Sequence, residues 1–412
     1  MDVFDELPEP IAKAWERSLS GGKAALSRRR LLGAGGGAAA AAALAGCGIP
    51  AADSAAKSGD RKDPDYSKKE KELVFSNWTL YIDVDDKDKN KRPTLDRFQR
   101  ESGIKVKYNE DVNDNVEFFG KIKPQLAAGQ DTGRDIVCLS DFMSGRLIRH
   151  GWAQRLDPAN LPNVNLHMEP RFRNAAHDPG RQFSVPWTGL ATVVAYNKKA
   201  TKGRKVTSVE QLLTDESLKG RAAMLTEMQD SVGMTLLDMG KDCAKFTEDD
   251  FEAALARIQK AVDNKQLRRF TGNDYVEELD KGDIAACLAW AGDVVQMQAE
   301  NDDIEFVIPE KGYLYATDDL IVPAKARHKA NAEALMNFYY DPKNAAELAA
   351  WVNYICPVAG AKEELAKIDK DLATDPLIIP DERMIKAGHV FMELGDDRET
   401  SYEDKYSKVI GA

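Results

Sequence analysis

The 412-residue sequence is poor in the side chains from which metal and nucleophile chemistry is usually built. It has five cysteines and five histidines, with no C-x-x-C pair and no His-Cys ligand spacing, so no metal site is expected. G-x-S-x-G and H-E-x-x-H are both absent, which removes the hydrolase elbow and the zincin helix. His150, His167, His177, His328 and His389 are far apart and mostly flanked by polar residues, and they read as surface side chains. Positive charge is also in deficit. Lys and Arg number 57 against 68 Asp and Glu, a formal charge of −11, whereas a general nucleic-acid binder needs a basic face. A cationic or neutral partner fits such a surface better. No apolar run reaches the roughly 20 residues of a spanning helix, and no repeat of 20–50 residues is present. What remains, 43% apolar and 30% charged residues, is the composition of a globular protein of two or three domains.

The N-terminal 47 residues read as an address. Ser27-Arg28-Arg29-Arg30-Leu31-Leu32 opens a Gly/Ala-rich apolar stretch that ends in Leu44-Ala45-Gly46-Cys47. The stretch is too short and too weakly apolar to span a bilayer, as a cleaved export signal is. The paired arginines resemble a twin-arginine signal, and Leu-Ala-Gly-Cys resembles a lipobox in which Cys47 becomes the lipid-modified first residue. Residues 1–47 hold six bases and five acids, so the remaining body carries about −12. Residues 48–70, rich in Ala, Ser, Lys and Asp without an apolar period, read as a flexible tether reaching roughly 25–30 Å. Of the other cysteines, Cys138 and Cys287 sit in apolar strand-like runs and read as small buried hydrophobes. Whether Cys138, Cys243, Cys287 and Cys356 form a disulfide is left open.

From Lys71 the pattern is α/β, with a mainly parallel sheet expected. Strands are expected at Leu73–Ser76, Ile104–Tyr108 and Asp135–Leu139, and helices at Pro93–Gly103, Val116–Ala128 and Phe142–His150. The stretch Phe183–Trp187 followed by Leu190–Asn197 looks like the chain crossing from one lobe to another. A second set follows: strands at Ala222–Leu225 and Ile284–Trp290, helices near Gly233–Cys243 and Thr247–Val262, a strand around Asp318–Pro323, and a helix Ala330–Tyr340.

Several blocks in this order resemble the polyamine-binding (spermidine/putrescine) solute-binding proteins of bacterial ABC importers. They are Phe75-Ser76-Asn77-Trp78-Thr79-Leu80-Tyr81, Phe98 through Val106, Asp135-Ile136-Val137, Val185-Pro186-Trp187, Gly282-Asp283-Ile284, Trp290-Ala291-Gly292-Asp293, Asp318–Pro323 and Asn353-Tyr354. The resemblance implies a two-lobed periplasmic-binding-protein type II fold with two crossing hinge strands and ligand held between the lobes, a class in which closure about a hinge is general. The lobes are expected at 72–188 plus 319–362 and at 189–318 plus 363–411. It further implies a monomeric, non-enzymatic lipoprotein on the outer face of the plasma membrane, without cofactor or metal. That protein hands a polyamine to a membrane permease pair and its ATPase.

Carried over residue by residue, the resemblance implies ligand-binding roles for Trp78, Tyr81, Ser140, Phe142, Trp290, Asp318 and Tyr354. Phe142 stands where the family has an aromatic with a hydroxyl. The family's pair of carboxylates falls on Met228 and Ser231, with Glu227 and Asp230 beside them; a shift of one residue would restore the acids, and without it one amine end is recognised differently and another cation becomes the expected ligand. Ala316 stands where a wall tryptophan is expected, with Tyr313 and Tyr315 as nearby substitutes. Tyr339-Tyr340 matches adjacent tyrosines of ferric-ion-binding relatives, although its apolar helical setting favours core packing. The rival readings are the same fold binding another small cation, an opine-like amine, a sugar or ferric ion, and, in another class, a secreted hydrolase.

Overall fold

The computed structural model describes residues 63–85 and 87–411. The export signal, Cys47 and the tether up to residue 62 lie outside the described residues. The body, residues 63–84 and 92–411, is one compact unit. The Asp85–Lys91 loop falls outside that unit and is closed by Asp85 N–H donating to Lys91 O at 3.2 Å. Among the described residues no helix is long and apolar enough to cross a membrane.

The first half is built on β1 (Glu72–Trp78), β2 (Lys105–Val112) and β3 (Ile136–Ser140), which pair in parallel in the order β2-β1-β3. The connecting helices start and stop where local chemistry dictates. Pro93 opens Pro93–Ser102, Gly103 closes it in the left-handed region (φ 71°), and the Asp114 side chain caps Asn115–Ala127. A short hairpin, β4 (Asn174–Ala175) with β5 (Asp178–Pro179), precedes the long β6 (Ser184–Asn197). The second half is built on β7 (Ala222–Leu225), β8 (Leu267–Thr271) and β9 (Ala286–Trp290), parallel in the order β9-β7-β8. β10 (Ile304–Val307) lies antiparallel to β6, and β11 (Tyr313–Ile321) returns antiparallel to it, with β12 (Gly388–His389) beside β11.

β6 and β11 join the two halves into one sheet, β2-β1-β3-β11-β6-β9-β7-β8. The sheet is therefore mixed rather than mainly parallel: β11 is antiparallel to β3, and β6 to β9. Two strands, β6 and β11, cross between the lobes in opposite directions, and antiparallel pairing follows. At the crossing, Asp318 pairs with Thr188 but Asp319 with Pro186, leaving Trp187 as a bulge. Pro186 has no N–H to give the ladder, so the bulge falls where the sequence cannot pair regularly.

Three segments differ from expectation. Residues 63–70, expected as the end of a free tether, are held by the first half: Asp63 pairs with Lys325 at 2.7 Å, Tyr66 N–H donates to Arg327 O at 2.8 Å, and Glu70 meets His328 at 2.9 Å. The expected lobe changeover at 362/363 falls inside the helix Ala361–Ile368, which packs on Pro342–Val352. His177 and His328, expected at the surface, have side chains 6% and 8% exposed, each paired with a carboxylate. The four described cysteines are all buried and free, Cys138 and Cys287 among them. Tyr339 and Tyr340 are core residues; the Tyr340 hydroxyl donates to Pro186 O at 2.7 Å.

Candidate functional site

The C-terminal ends of β1, β3, β7 and β9 and the crossing region of β6 and β11 converge on one polar ring, the usual place for a ligand in open α/β sheets. Asp318 is its anchor in β11 and is 4% exposed. The Tyr81 hydroxyl donates to Asp318 Oδ2 at 2.7 Å, and the Ser140 hydroxyl donates to Oδ1 at 2.7 Å. Having spent its proton on Asp318, Tyr81 accepts from the Thr188 hydroxyl. The Tyr81 ring meets Tyr354 edge-on at 5.1 Å between centroids. The Tyr354 hydroxyl donates to Asp293 Oδ1 at 2.8 Å, while Tyr275 Oη and Asn273 Nδ2 donate to Oδ2 at 2.7 and 3.0 Å.

The ring continues through the second half. Trp290 N–H donates to Tyr275 Oη at 2.9 Å, and the Trp290 indole N–H reaches Asp230 Oδ2 at 3.4 Å. Thr192, paired with Trp290 across β6 and β9, donates its hydroxyl to Asp230. Glu227 and Asp230 stand at the start of the helix Met228–Asp238. Asn115 Nδ2 donates to Glu227 Oε1 and to Ser140 Oγ, both at 3.0 Å, which closes the circuit back to Asp318.

Four carboxylates thus face one region, and among the described residues none of them is ion-paired. Burial pushes Asp318 up to about 7, against the hydrogen bonds from Tyr81 and Ser140. Burial likewise lifts Asp230 to about 6, raises Asp293, and raises Glu227 well above the usual carboxylate range, with Asp114 adding to the last. The adjacent Asp319 supplies the contrast. It points to the other face of β11, where Arg181 Nη1 lies at 2.9 Å and His177 Nε2 at 2.6 Å, and against its burial they hold it down at about 2. One aspartate is neutralised by the chain itself; its neighbour has only hydroxyl donors.

Of the residues expected here, Tyr81, Ser140, Glu227, Asp230, Trp290, Asp318 and Tyr354 are brought together in the ring. Met228 is buried in the core, and the Ser231 hydroxyl donates to Leu225 O at 2.7 Å, so the one-residue shift leaves Glu227 and Asp230 as the acids in the ring. Trp78 and Phe142 are half-buried against the apolar cluster that includes Val112, Phe118, Leu139 and Ile321, outside the hydrogen-bonded circuit, and the Trp78 indole N–H is buried without a partner. Tyr313 and Tyr315 do not substitute for the missing tryptophan. They share the face of β11 opposite Asp318, with the Tyr313 hydroxyl on Met384 O at 3.1 Å and the Tyr315 ring 6.0 Å from Phe172. Asn115, Thr188, Thr192, Tyr275 and Asp293 were not singled out from sequence. Only Asp293 carried a signal, as the last residue of the Trp-Ala-Gly-Asp block.

Comparison with known proteins bears on this site. The family model described as bacterial extracellular solute-binding protein matches residues 94–379. The putrescine-binding periplasmic protein PotF of Escherichia coli is 31% identical over 301 residues, covering 69% of this chain and 77% of that protein. The spermidine/putrescine-binding periplasmic protein of Salmonella typhimurium is 26% identical over 337 residues, covering 82% and 91%. The crystal structure of PotD, the spermidine/putrescine ABC transporter substrate-binding protein of Streptococcus pneumoniae, superposes with a TM-score of 0.67 at 22% identity, covering 82% of this chain and 98% of that one. The family model spans well over half of the chain, and the chain belongs to the bacterial extracellular solute-binding proteins.

Proposed function

We propose that the ring captures a polyamine, spermidine or putrescine, and that the loaded protein delivers it to an ABC importer. The observation that carries this reading is the set of four unpaired acids, Asp318, Asp293, Asp230 and Glu227, distributed over both halves. A buried carboxylate without a cation is costly, and an ammonium placed beside it removes that cost while gaining roughly 1.5–3 kcal/mol per charge-assisted hydrogen bond. Tyr81, Tyr354 and Trp290 supply aromatic surface for a methylene stem, and a desolvated ammonium over such a face gains about 2 kcal/mol. Two anchored ends and a sandwiched stem thus supply gross gains of the same order as the roughly 8 kcal/mol of micromolar binding, and the ordering cost of the ligand is set against them. The names of the relatives point to the same ligand class.

On the same reading the chain is exported by its twin-arginine-like signal and held at the outer face of the plasma membrane through a lipid on Cys47. That part stands only if Cys47→Ser releases the protein from the membrane fraction. Titration calorimetry with spermidine, putrescine and an uncharged diol of equal length tests the ligand. Binding is expected for the amines alone, weakened at least tenfold in Asp318→Asn at pH 8. Equal heats for the diol, or unaltered amine affinity in that variant, would reject the reading.

A further inference from the structure

Asn115 opens the helix that follows β2, on the β1–β3 side, and is 1% exposed. All three hydrogen bonds of its side chain are to ring residues or to the strand end that carries one, and its backbone N–H also faces Glu227. The backbone N–H of Ser140 donates to Asn115 Oδ1 at 3.0 Å, and since that group can only donate, it fixes the orientation of the amide. The amide nitrogen then donates to Ser140 Oγ and to Glu227 Oε1, each at 3.0 Å. Two consequences follow from counting donors. Ser140 Oγ, already accepting from Asn115, directs its own proton to Asp318 Oδ1. Glu227, on the β7–β9 side, is required to accept at Oε1. One amide therefore sets the hydrogen-bond polarity of an acid from each half.

We infer that Asn115 is a positioning residue for cation capture, tying Glu227 of one half to the Ser140–Asp318 pair of the other so that both acids present accepting oxygens to one ligand. The inference rests on the polyamine reading and goes beyond it by assigning the coupling between the halves to a residue that need not touch the ligand. Bringing the halves together forms the Asn115–Glu227 bond, and separating them leaves a buried carboxylate without its amide donor.

Asn115→Asp is the discriminating variant because it is isosteric and adds a negative charge. A site governed by charge alone binds a cation more tightly with one more acid nearby. If Asn115 works as a donor, the new carboxylate repels Glu227, draws the Ser140 proton away from Asp318, and weakens binding at least tenfold at pH 8. Lowering the pH to 5 protonates the introduced carboxylate in part and restores a donor, so the ratio of variant to wild-type affinity recovers; a structural defect has no reason to follow that profile. Asn115→Ala removes the side-chain donors without adding charge and is expected to lose about fivefold or more, which keeps the test available if the Asn115→Asp chain fails to fold. Calorimetry with spermidine and putrescine, alongside thermal melts, gives the readout. Wild type that binds neither amine overturns the polyamine reading and this inference with it. Wild type that binds, with both variants equally tight at pH 8, overturns the role of Asn115 alone.

Discussion

Asp318 and Asp319 are covalent neighbours on opposite faces of β11, and the fold treats them in opposite ways. Asp319 is held down at about 2 by Arg181 and His177 despite its burial, so it contributes stability that is present above the unfolded value near 3.8 and is lost as pH falls towards 2. Asp318 is raised to about 7, so its charged form lowers the stability of the unliganded protein as pH rises from 4 to 7. The same substitution should therefore act differently at the two positions. Asp319→Asn leaves Arg181 buried without its counter-charge and is expected to cost about 3–5 kcal/mol in urea unfolding at pH 7. Asp318→Asn should leave the urea midpoint unchanged or raise it. Equal midpoint shifts for the two variants would contradict this division of labour.

The elements that sequence reasoning recovered are those whose side chains are apolar on a buried face. β1, β3, β7 and β9 are buried along most of their length, and the helices between them carry proline, glycine or aspartate at their ends. β8 and β10 were missed because they read Leu-Arg-Arg-Phe-Thr and Ile-Glu-Phe-Val, with polar residues among the apolar ones and partial exposure along each strand. The C-terminal helix Asp396–Ile410 was hidden by its acids, although Tyr402 stacks on Phe251 at 3.7 Å and Glu399 pairs with Arg149 at 2.5 Å. The site divides in the same way. Asp318 and Trp290 sit at strand ends and are visible by position, whereas the role inferred for Asn115 rests on Ser140 and Glu227, 25 and 112 residues away. Gly292, at the start of the helix Ala291–Gln298, shows how closely these elements approach. A Cβ there would overlap the Tyr354 ring. Gly292→Ala should push Tyr354 off Asp293 and weaken amine binding by about fivefold or more with the fold retained, read by calorimetry together with circular dichroism.

At the scale of the molecule, the ring is assembled from both halves, and so its protons belong to the assembled ring rather than to either half. Aliphatic ammonium groups stay charged below about pH 9, while Asp318 and Asp230 titrate near 7 and 6. An incoming diamine must displace whatever protons these acids hold. Affinity is therefore expected to weaken as pH falls from 8 to 5, by up to about tenfold per unit for each proton displaced. Calorimetry in buffers of different ionisation enthalpy counts those protons. A dissociation constant that is flat across this range would show that the acids are already charged before the ligand arrives.

The strapping of residues 63–70 has a mechanical consequence. Asp63, Tyr66 and Glu70 grip Lys325, Arg327 and His328 just ahead of β1, whereas Tyr81 lies beyond that strand's far end, a strand length of roughly 20 Å away. Tension on the preceding chain is thus taken up at the base of a single half. A pull applied there would leave the ring outside its line of force.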